Sequence, residues 1–543
     1  MVNIKRPLPL PHLVIAQVNR PQQLIFWLLG SIIGIIVTLY IAIPNYFAHA
    51  FVFNFAYSIA ITSLSSIVAS LVALPIALTM MALSTRKLLL YLGFLCIPLT
   101  ISPLAVATVL STGHFQFSPY GETIIIATQF ISVFPFSVLL ELFVLDRLGS
   151  HLVIQSLQLS LGSPRWMWKA HKSTLAQAII LSFVLGTGIL LADPSLHLVF
   201  GGTTPFLSNH IFHVLSSGEV QTLALPHTAA LVLLSIIAAL ILSATLQSST
   251  ASSVAISDDE RNIFWKFPLT RLVVRLGKVI SGIYFGLTIL ILIRIVFDGF
   301  LPGRLLGSTA ADITKLPFGF SHALWSTAIS VIPVVLISWA LSLYSASITL
   351  HRPKLAAICN SLMVFQLLIS LTAGGILIAF LHQDWIAIGG LYLVPPLVGN
   401  AGYGNGYFAI ALSYLSIAFP VAHLVSYSVF ETYRPAVLTA RDLGAGRIRI
   451  FFTIILPNVF SVWIPTFALL LGLLLARNTP SIFVDSATFP QIGPTIVSAA
   501  EEGNDSVVYA LTAASSLLSI TFFVIGLGGL LLFLNRRRSH EPI

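Results

Sequence analysis

Residues Tyr433–Pro457 read YRPAVLTARDLGAGRIRIFFTIILP. The stretch is amphipathic and basic: Arg434, Arg441, Arg447 and Arg449 are set among Val437, Leu438, Leu443 and Ile448. It separates two apolar runs, 405–431 and 458–476. Each run is long enough to cross roughly 30 Å of hydrocarbon as a helix. Within the stretch, Leu438–Leu443 suits a short helix. Gly444 suits its end, because glycine reaches the left-handed conformation that closes helices. Pro457 stands where the chain returns to apolar sequence. Such a segment either docks on a soluble partner or rests on lipid headgroups.

The alternation of apolar run and polar connection extends over the whole chain. Of 543 residues, 57% are hydrophobic and 8% charged, against about 25% charged in a soluble domain. A water-soluble fold this poor in charge lacks an adequate polar surface. The runs are continuous rather than alternating in ten-residue strands, so helices, not a closed barrel, are the expected spanning elements. Twelve spans are expected, over 26–48, 56–83, 88–112, 121–146, 175–193, 222–246, 279–299, 321–349, 355–381, 405–431, 458–476 and 508–535. The fold class is therefore an all-α membrane protein. Residues 1–25 are polar and proline-rich without a cleavage site, which reads as an uncleaved segment.

The basic residues orient the spans. All but four of the 27 Lys and Arg residues fall on one side of this arrangement; the exceptions are Arg294, Arg304, Lys315 and Arg477. Basic loops stay in the cytoplasm, so both termini are expected there. The distribution also turns the net charge of +9 away from nucleic acid and toward topology. The opposite side carries Glu122, Asp193, Asp298, Asp485, Glu501 and Glu502 among others. That balance would favour a cationic solute, or it reflects the depletion of Lys and Arg alone.

The chain repeats itself weakly. Ala127–Pro135 (ATQFISVFP) corresponds to Ala411–Pro420 (ALSYLSIAFP), and each leads into a basic segment containing Leu-Gly, at Leu161-Gly162 and Leu443-Gly444. Pro135 and Pro420 lie 285 positions apart. Ser58–Thr62 corresponds to Ser326–Ser330, and Ser217-Gly218 to Glu502-Gly503. Six spans separate the copies, so the repeats are parallel, related by an axis along the membrane normal. The expected organisation is a segment 1–25, a first half 26–246 with its core from 54, a polar linker 247–278, a second half 279–535 with its core from 321, and a basic tail 536–543. Pro135 and Pro420 remove a helical hydrogen bond at matching places, shaping a pathway or bending the helix to fit a neighbour.

On these residues the chain resembles the permease subunits of binding-protein-dependent (type I) ABC importers. Their loop pattern is Glu-Ala-Ala, three residues, Gly, nine residues, Ile-x-Leu-Pro. Here Leu438-Thr439-Ala440 occupies the triplet, Gly444 follows, and Ile454-Ile455-Leu456-Pro457 closes the register. Leu438 stands where the family has Glu, so a contact made by that carboxylate is not carried over to this chain. In the first half the same register is degenerate and keeps Leu161, Gly162, Ser163 and Pro164 with Arg165, Trp166 and Trp168. The two fused halves are similar to those of ferric-iron and thiamine permeases.

The resemblance implies a permease in a bacterial inner membrane. Its coupling loops would comprise Ala440, Arg441, Asp442, Leu443, Gly444, Ala445, Leu456 and Pro457 in the second half and Leu161–Pro164 in the first. They would dock on two copies of a cytoplasmic ATPase, and a periplasmic or lipid-anchored binding protein would deliver the solute. Asp193 and Arg477, at equivalent ends of the fifth and eleventh spans, would line the path.

Other chemistry is missing from the sequence. It contains no GxxxxGK[ST], so no ATP hydrolysis by this chain is expected. It contains no HExxH and no CxxC, and its 14 His are scattered; no metal site, bound cofactor or nucleic-acid partner is expected. Cys96 and Cys359 read as buried small residues. Gly201–Pro205 reads as a re-entrant segment or a plain loop. Glu141 and Asp146 read as interfacial or snorkelling groups near a span end, and Arg294 as the partner of Asp298 one turn on. The competing class is a twelve-span secondary transporter driven by an ion gradient. It needs intramembrane carboxylates, and the expected spans hold almost none at mid-membrane depth.

Overall fold

The computed structural model describes residues 45–81, 83, 85–112, 121–146, 164–193, 195–200, 206–217, 268–301, 320–350, 353–381, 386–388, 391–400, 402–476 and 479–539, with short pieces of 228–237. The expected first span, almost all of it, most of the sixth, and the loop 147–163 lie outside them. The protein is an α-helical membrane protein. Six helices among the described residues are long and apolar enough to cross a membrane, or seven if one bent pair counts as a single crossing. They cover the second, fourth, seventh, eighth, tenth and twelfth expected spans, with the eleventh as the bent pair. The third, fifth and ninth contain shorter apolar helices, Leu90–Thr100, Leu175–Leu191 and Ile358–Leu367.

In chain order the helices are α1 (Asn45–Met81), α2 (Thr85–Cys96), α3 (Pro103–Thr112), α4 (Gly121–Asp146), α5 (Pro164–Ala192), α6 (Ser195–Phe200), α7 (Leu207–Ser217), α8 (Pro268–Gly299), α9 (Phe320–Leu350) and α10 (Pro353–Leu381). A small antiparallel hairpin follows, β1 (Ile386–Ile388) with β2 (Leu391–Val394). Then come α11 (Tyr407–Asp442), α12 (Arg447–Ile450), a π turn over Phe451–Ile455, α13 (Leu456–Ala476), α14 (Thr479–Ile482), α15 (Ile492–Glu501) and α16 (Asp505–Ser539).

Several boundaries differ from the sequence reading. The connection expected at 49–55 is helical, because nothing between Asn45 and Pro75 breaks α1: no glycine or proline occurs there. The expected linker 247–278 loses its last eleven residues to α8. Pro268 opens that helix without losing a needed hydrogen bond. Arg271, Arg275 and Lys278 follow at helical spacing, so the helix continues beyond its apolar core. Span three is two helices, separated by a 3-10 turn over Ile97–Thr100 and by Ile101-Ser102. The basic-aromatic run at Arg165–Trp168 belongs to the first turn of α5 rather than to a loop.

Packing follows the rules of a lipid solvent, in which close approach and interhelical hydrogen bonds replace the hydrophobic drive. In the first half α1, α4 and α5 pack together. Ala69, Ala73 and Ala77 form a small-residue stripe along α1, all fully buried. The Ser65 hydroxyl donates to Gln129 Oε1 at 2.9 Å, joining α1 to α4. In the second half α9 packs on α11 as α1 does on α4, and α13 packs on α16. The largest core joins Trp339 of α9, Tyr414 of α11 and Leu474 of α13 to Phe55, Leu207 and Ile211 from the first half.

One detail occurs in both halves, with its donors 285 residues apart and its acceptors 269 apart. The backbone N–H of Leu207, first residue of α7, donates to Ser58 Oγ of α1 at 2.8 Å. The N–H of Ile492, first residue of α15, donates to Thr327 Oγ1 of α9 at 3.1 Å. Helix N-termini carry unsatisfied donors, and each half gives the first one to a hydroxyl of its leading core helix. Pro135 and Pro420 are both buried inside continuous helices.

Candidate functional site

Helix α11 has 36 residues, about 54 Å at 1.5 Å per residue, so it outruns the hydrocarbon and carries its last turns past it. The short helix expected at Leu438–Leu443 is the end of this one. No glycine occurs from Tyr407 to Leu443 to stop it, and Pro420 and Pro435 leave it unbroken. The stop is Gly444, at φ +83°. Its N–H donates to Arg441 O at 2.9 Å, and the Ala445 N–H donates to Ala440 O at 3.0 Å. These two bonds define a Schellman termination, which satisfies the last carbonyls and reverses the chain.

The reversal produces an elbow. Its inner side is anchored: Ala440 and Ala445 pack with Tyr433, Val437, Ile450 and Ile455 against Ala346 of α9. Its outer side carries Leu443, 83% exposed, and Ile448, 78% exposed. Arg441, Asp442 and Arg449 surround them, all exposed. Arg434 Nη1 donates to Glu431 Oε1 at 2.9 Å on the approach to the turn.

Past the elbow the chain bends again. Pro457 has no N–H for the carbonyl of Thr453 four residues back. The ladder shifts there to a π turn, in which the Leu456 N–H bonds Phe451 O. The Thr453 hydroxyl bonds Arg449 O at 2.6 Å. The helical segments Ile448–Phe460 and Val462–Ala476 meet at 44°. Leu456 and Pro457 open α13 directly after the π turn, and the 44° bend follows at residue 461, four residues before Pro465; π turns recur at functional positions.

Ala440–Ala445 thus form the elbow, and Leu456 and Pro457 lie past it, at the start of α13. Leu161, Gly162 and Ser163 lie outside the described residues, and Pro164 opens α5. Arg477 also lies outside them. Asp193 is 7% exposed, and its Oδ1 accepts the Ser195 N–H at 3.0 Å as well as the Ser195 hydroxyl. That carboxylate is engaged in the local turn that leads into α6. Arg294 pairs with Asp298, Nε to Oδ2 at 2.9 Å, as the one-turn spacing implies. Glu141 departs from the sequence reading: it is fully buried, not snorkelling, because its face of α4 turns onto α5. Ser182 there donates to its Oε1 at 3.0 Å. Cys96 and Cys359 are free and half-buried. Among the described residues no three His, Cys, Asp or Glu side chains converge on a metal site.

Features that the sequence reading missed lie at the end of the bundle opposite the elbow. Ser58 and Thr327 cap α7 and α15; the weak correspondence of Ser58–Thr62 with Ser326–Ser330 was the signal in the sequence nearest to them. Between α14 and α15, Asp485 sits in a tight loop whose neighbour Ser486 donates to Asn400 Oδ1 at 2.9 Å and to Asn405 O at 2.6 Å. Burial pushes the Asp485 carboxyl up to about 7, opposed by backbone N–H donors of Ser486 and Gln491. A carboxyl raised on folding makes the folded state bind the extra proton. Its contribution is present below the ordinary value of 3.8 and is lost as pH rises toward the folded value. Thermal stability in detergent is expected to fall between pH 4.5 and 7.5, and Asp485→Asn to remove that part of the slope. An unchanged slope in the variant would assign the pH dependence to other groups.

No protein-family model matches this chain, and neither a curated protein nor a solved structure is similar to it.

Proposed function

We propose that the chain is the permease of a binding-protein-dependent ABC importer: twelve crossings in two parallel six-helix halves, with both termini cytoplasmic, in a bacterial inner membrane. The observation that carries this reading is the elbow. A soluble partner needs a fixed, solvent-facing handle, and Leu443 and Ile448 stand out from a turn whose inner side is packed on α9. The register from Leu438 to Pro457 supports the same reading. Two cytoplasmic ATPase copies would seat the elbow and the segment around Leu161–Pro164. ATP binding at the partner would favour one arrangement of the halves over another. A periplasmic or lipid-anchored protein would deliver the solute at the opposite end, with ferric iron and thiamine the candidates raised by the fused layout.

A photo-crosslinker at Asp442 in native membranes is expected to capture an ATPase subunit, and uptake is expected to stop when ATP is depleted with ion gradients intact. Capture of no such subunit, or uptake that follows an ion gradient, sinks the reading. The buried carboxyl of Glu141 favours the second reading, a secondary transporter, which needs an intramembrane acid; the same uptake measurement separates the two.

A further inference from the structure

Glu141 is a polar feature that the elbow does not use. It lies five residues before the end of α4 and is fully buried. Oε1 accepts the Ser182 hydroxyl at 3.0 Å. Oε2 is buried without a partner, and among the described residues no cationic side chain pairs with Glu141. A charged carboxylate in such surroundings is costly, so the group is held neutral by a proton or by a bound cation that displaces it. The carboxyl occupies the seam between α4 and α5. Beside it, Val144, Ala178 and Leu181 pack against Val364 and Phe365 of α10, a helix of the second half. Ser137, one turn along the same face of α4, keeps a buried hydroxyl with no partner. The position 285 residues on from Glu141 is Ser426, whose hydroxyl is hydrogen-bonded to that of Ser342 at 2.9 Å. The acid is therefore a feature of the first half alone.

We infer that Glu141, with the hydroxyls of Ser137 and Ser182, is a binding point for a hard metal cation inside the membrane-embedded bundle, next to the contact between the halves. The donors are all oxygen, which suits hard cations and not thiophilic ones. One carboxylate and two hydroxyls hold such an ion weakly, with water completing its shell. Weak holding is what passage requires, since an ion must leave as readily as it enters. The inference deepens the transport reading by naming a solute class. It rests on the chain conducting a solute and not on the elbow docking an ATPase.

The test uses the full chain in native membranes and dicyclohexylcarbodiimide, which modifies carboxyl groups in apolar surroundings. Peptide mass mapping is expected to find the adduct on Glu141. Millimolar Mn2+ is expected to suppress it several-fold, while equimolar tetraethylammonium leaves it unchanged. Glu141→Gln loses the adduct, and Ser182→Ala keeps it but weakens the Mn2+ protection. No adduct on Glu141, or an adduct indifferent to Mn2+, overturns the inference and makes Glu141 a neutral structural acid. Protection by tetraethylammonium alone overturns the metal class. ATPase copurification, scored in the same membranes, reports on the elbow separately: its loss with Mn2+ protection intact counts against the ABC reading and leaves the cation site standing.

Discussion

Gly444→Val is expected to leave the chain inserted in the membrane and to abolish both ATPase capture and uptake. Gly444 has φ +83°, and no atom lies within 4 Å of where its Cβ would stand. A side chain therefore meets no clash, and the penalty comes from the backbone alone. An ordinary L-residue pays roughly 1–2 kcal/mol in the left-handed region, and a β-branched one is a steeper outlier there. Relieving that strain breaks the bonds from Gly444 N–H to Arg441 O and from Ala445 N–H to Ala440 O, at about 1 kcal/mol each. The elbow then opens, and Leu443 and Ile448 no longer stand in fixed relation. Gly444→Asn is the control, since asparagine tolerates the left-handed region, and it should retain most activity. The matching change at Gly162, in the degenerate copy of the register, should do less damage. Unchanged uptake in Gly444→Val would count heavily against the elbow as the coupling element.

Gly277→Val is expected to destabilise the whole bundle by about 3 kcal/mol, the upper end of the ordinary overpacking range. Helix α8 crosses α1 at this glycine. A Cβ built there falls inside van der Waals contact of Thr79 Oγ1 and the Pro75 carbonyl oxygen, with the Pro75 carbonyl carbon at 2.9 Å. A threonine rotamer can yield, but the backbone of a buried helix cannot do so cheaply. Separating α8 from α1 also strains its neighbours: the hydroxyl contact of Ser281 with Tyr91, the Tyr284 hydroxyl bond to Ile131 O at 3.1 Å, and the packing of the Tyr284 and Phe134 rings at 4.5 Å. The measurement is thermal aggregation of detergent-solubilised protein. Gly282→Val is the matched control five residues along the same helix. Nothing lies within 4 Å of its added Cβ, so it should be close to neutral. Equal loss in both variants would show that helix propensity, not the crossing, sets the effect.

Legibility in the sequence was greatest where a single local rule acts. Helical class followed from run length and poverty of charge. The stop at Gly444 followed from the conformational freedom of glycine. The Arg294–Asp298 pair followed from one-turn spacing. Boundaries were less legible, because Asn54 or a polar stretch such as 268–278 looks like a loop when judged by hydropathy. A helix continues until something breaks its hydrogen-bond ladder, and α1, α8 and α11 all continue past the apolar windows that located them. At Asp193 the sequence located a charge at a span end, and the structure adds that its oxygen accepts from Ser195.

The order of apolar and basic segments, read alone, determined that this chain is helical, lies in a membrane and turns sharply at Gly444, since each of these depends on residues within a few turns of one another. Only the tertiary structure decided that Glu141 is buried against Ser182, that α8 rests on α1 through Gly277, and that Leu443 and Ile448 face outward while Ala440 and Ala445 face in. Those outcomes depend on which face of a helix meets a partner tens or hundreds of residues away. In a chain apolar on nearly every face, the pattern of hydropathy carries little record of that choice.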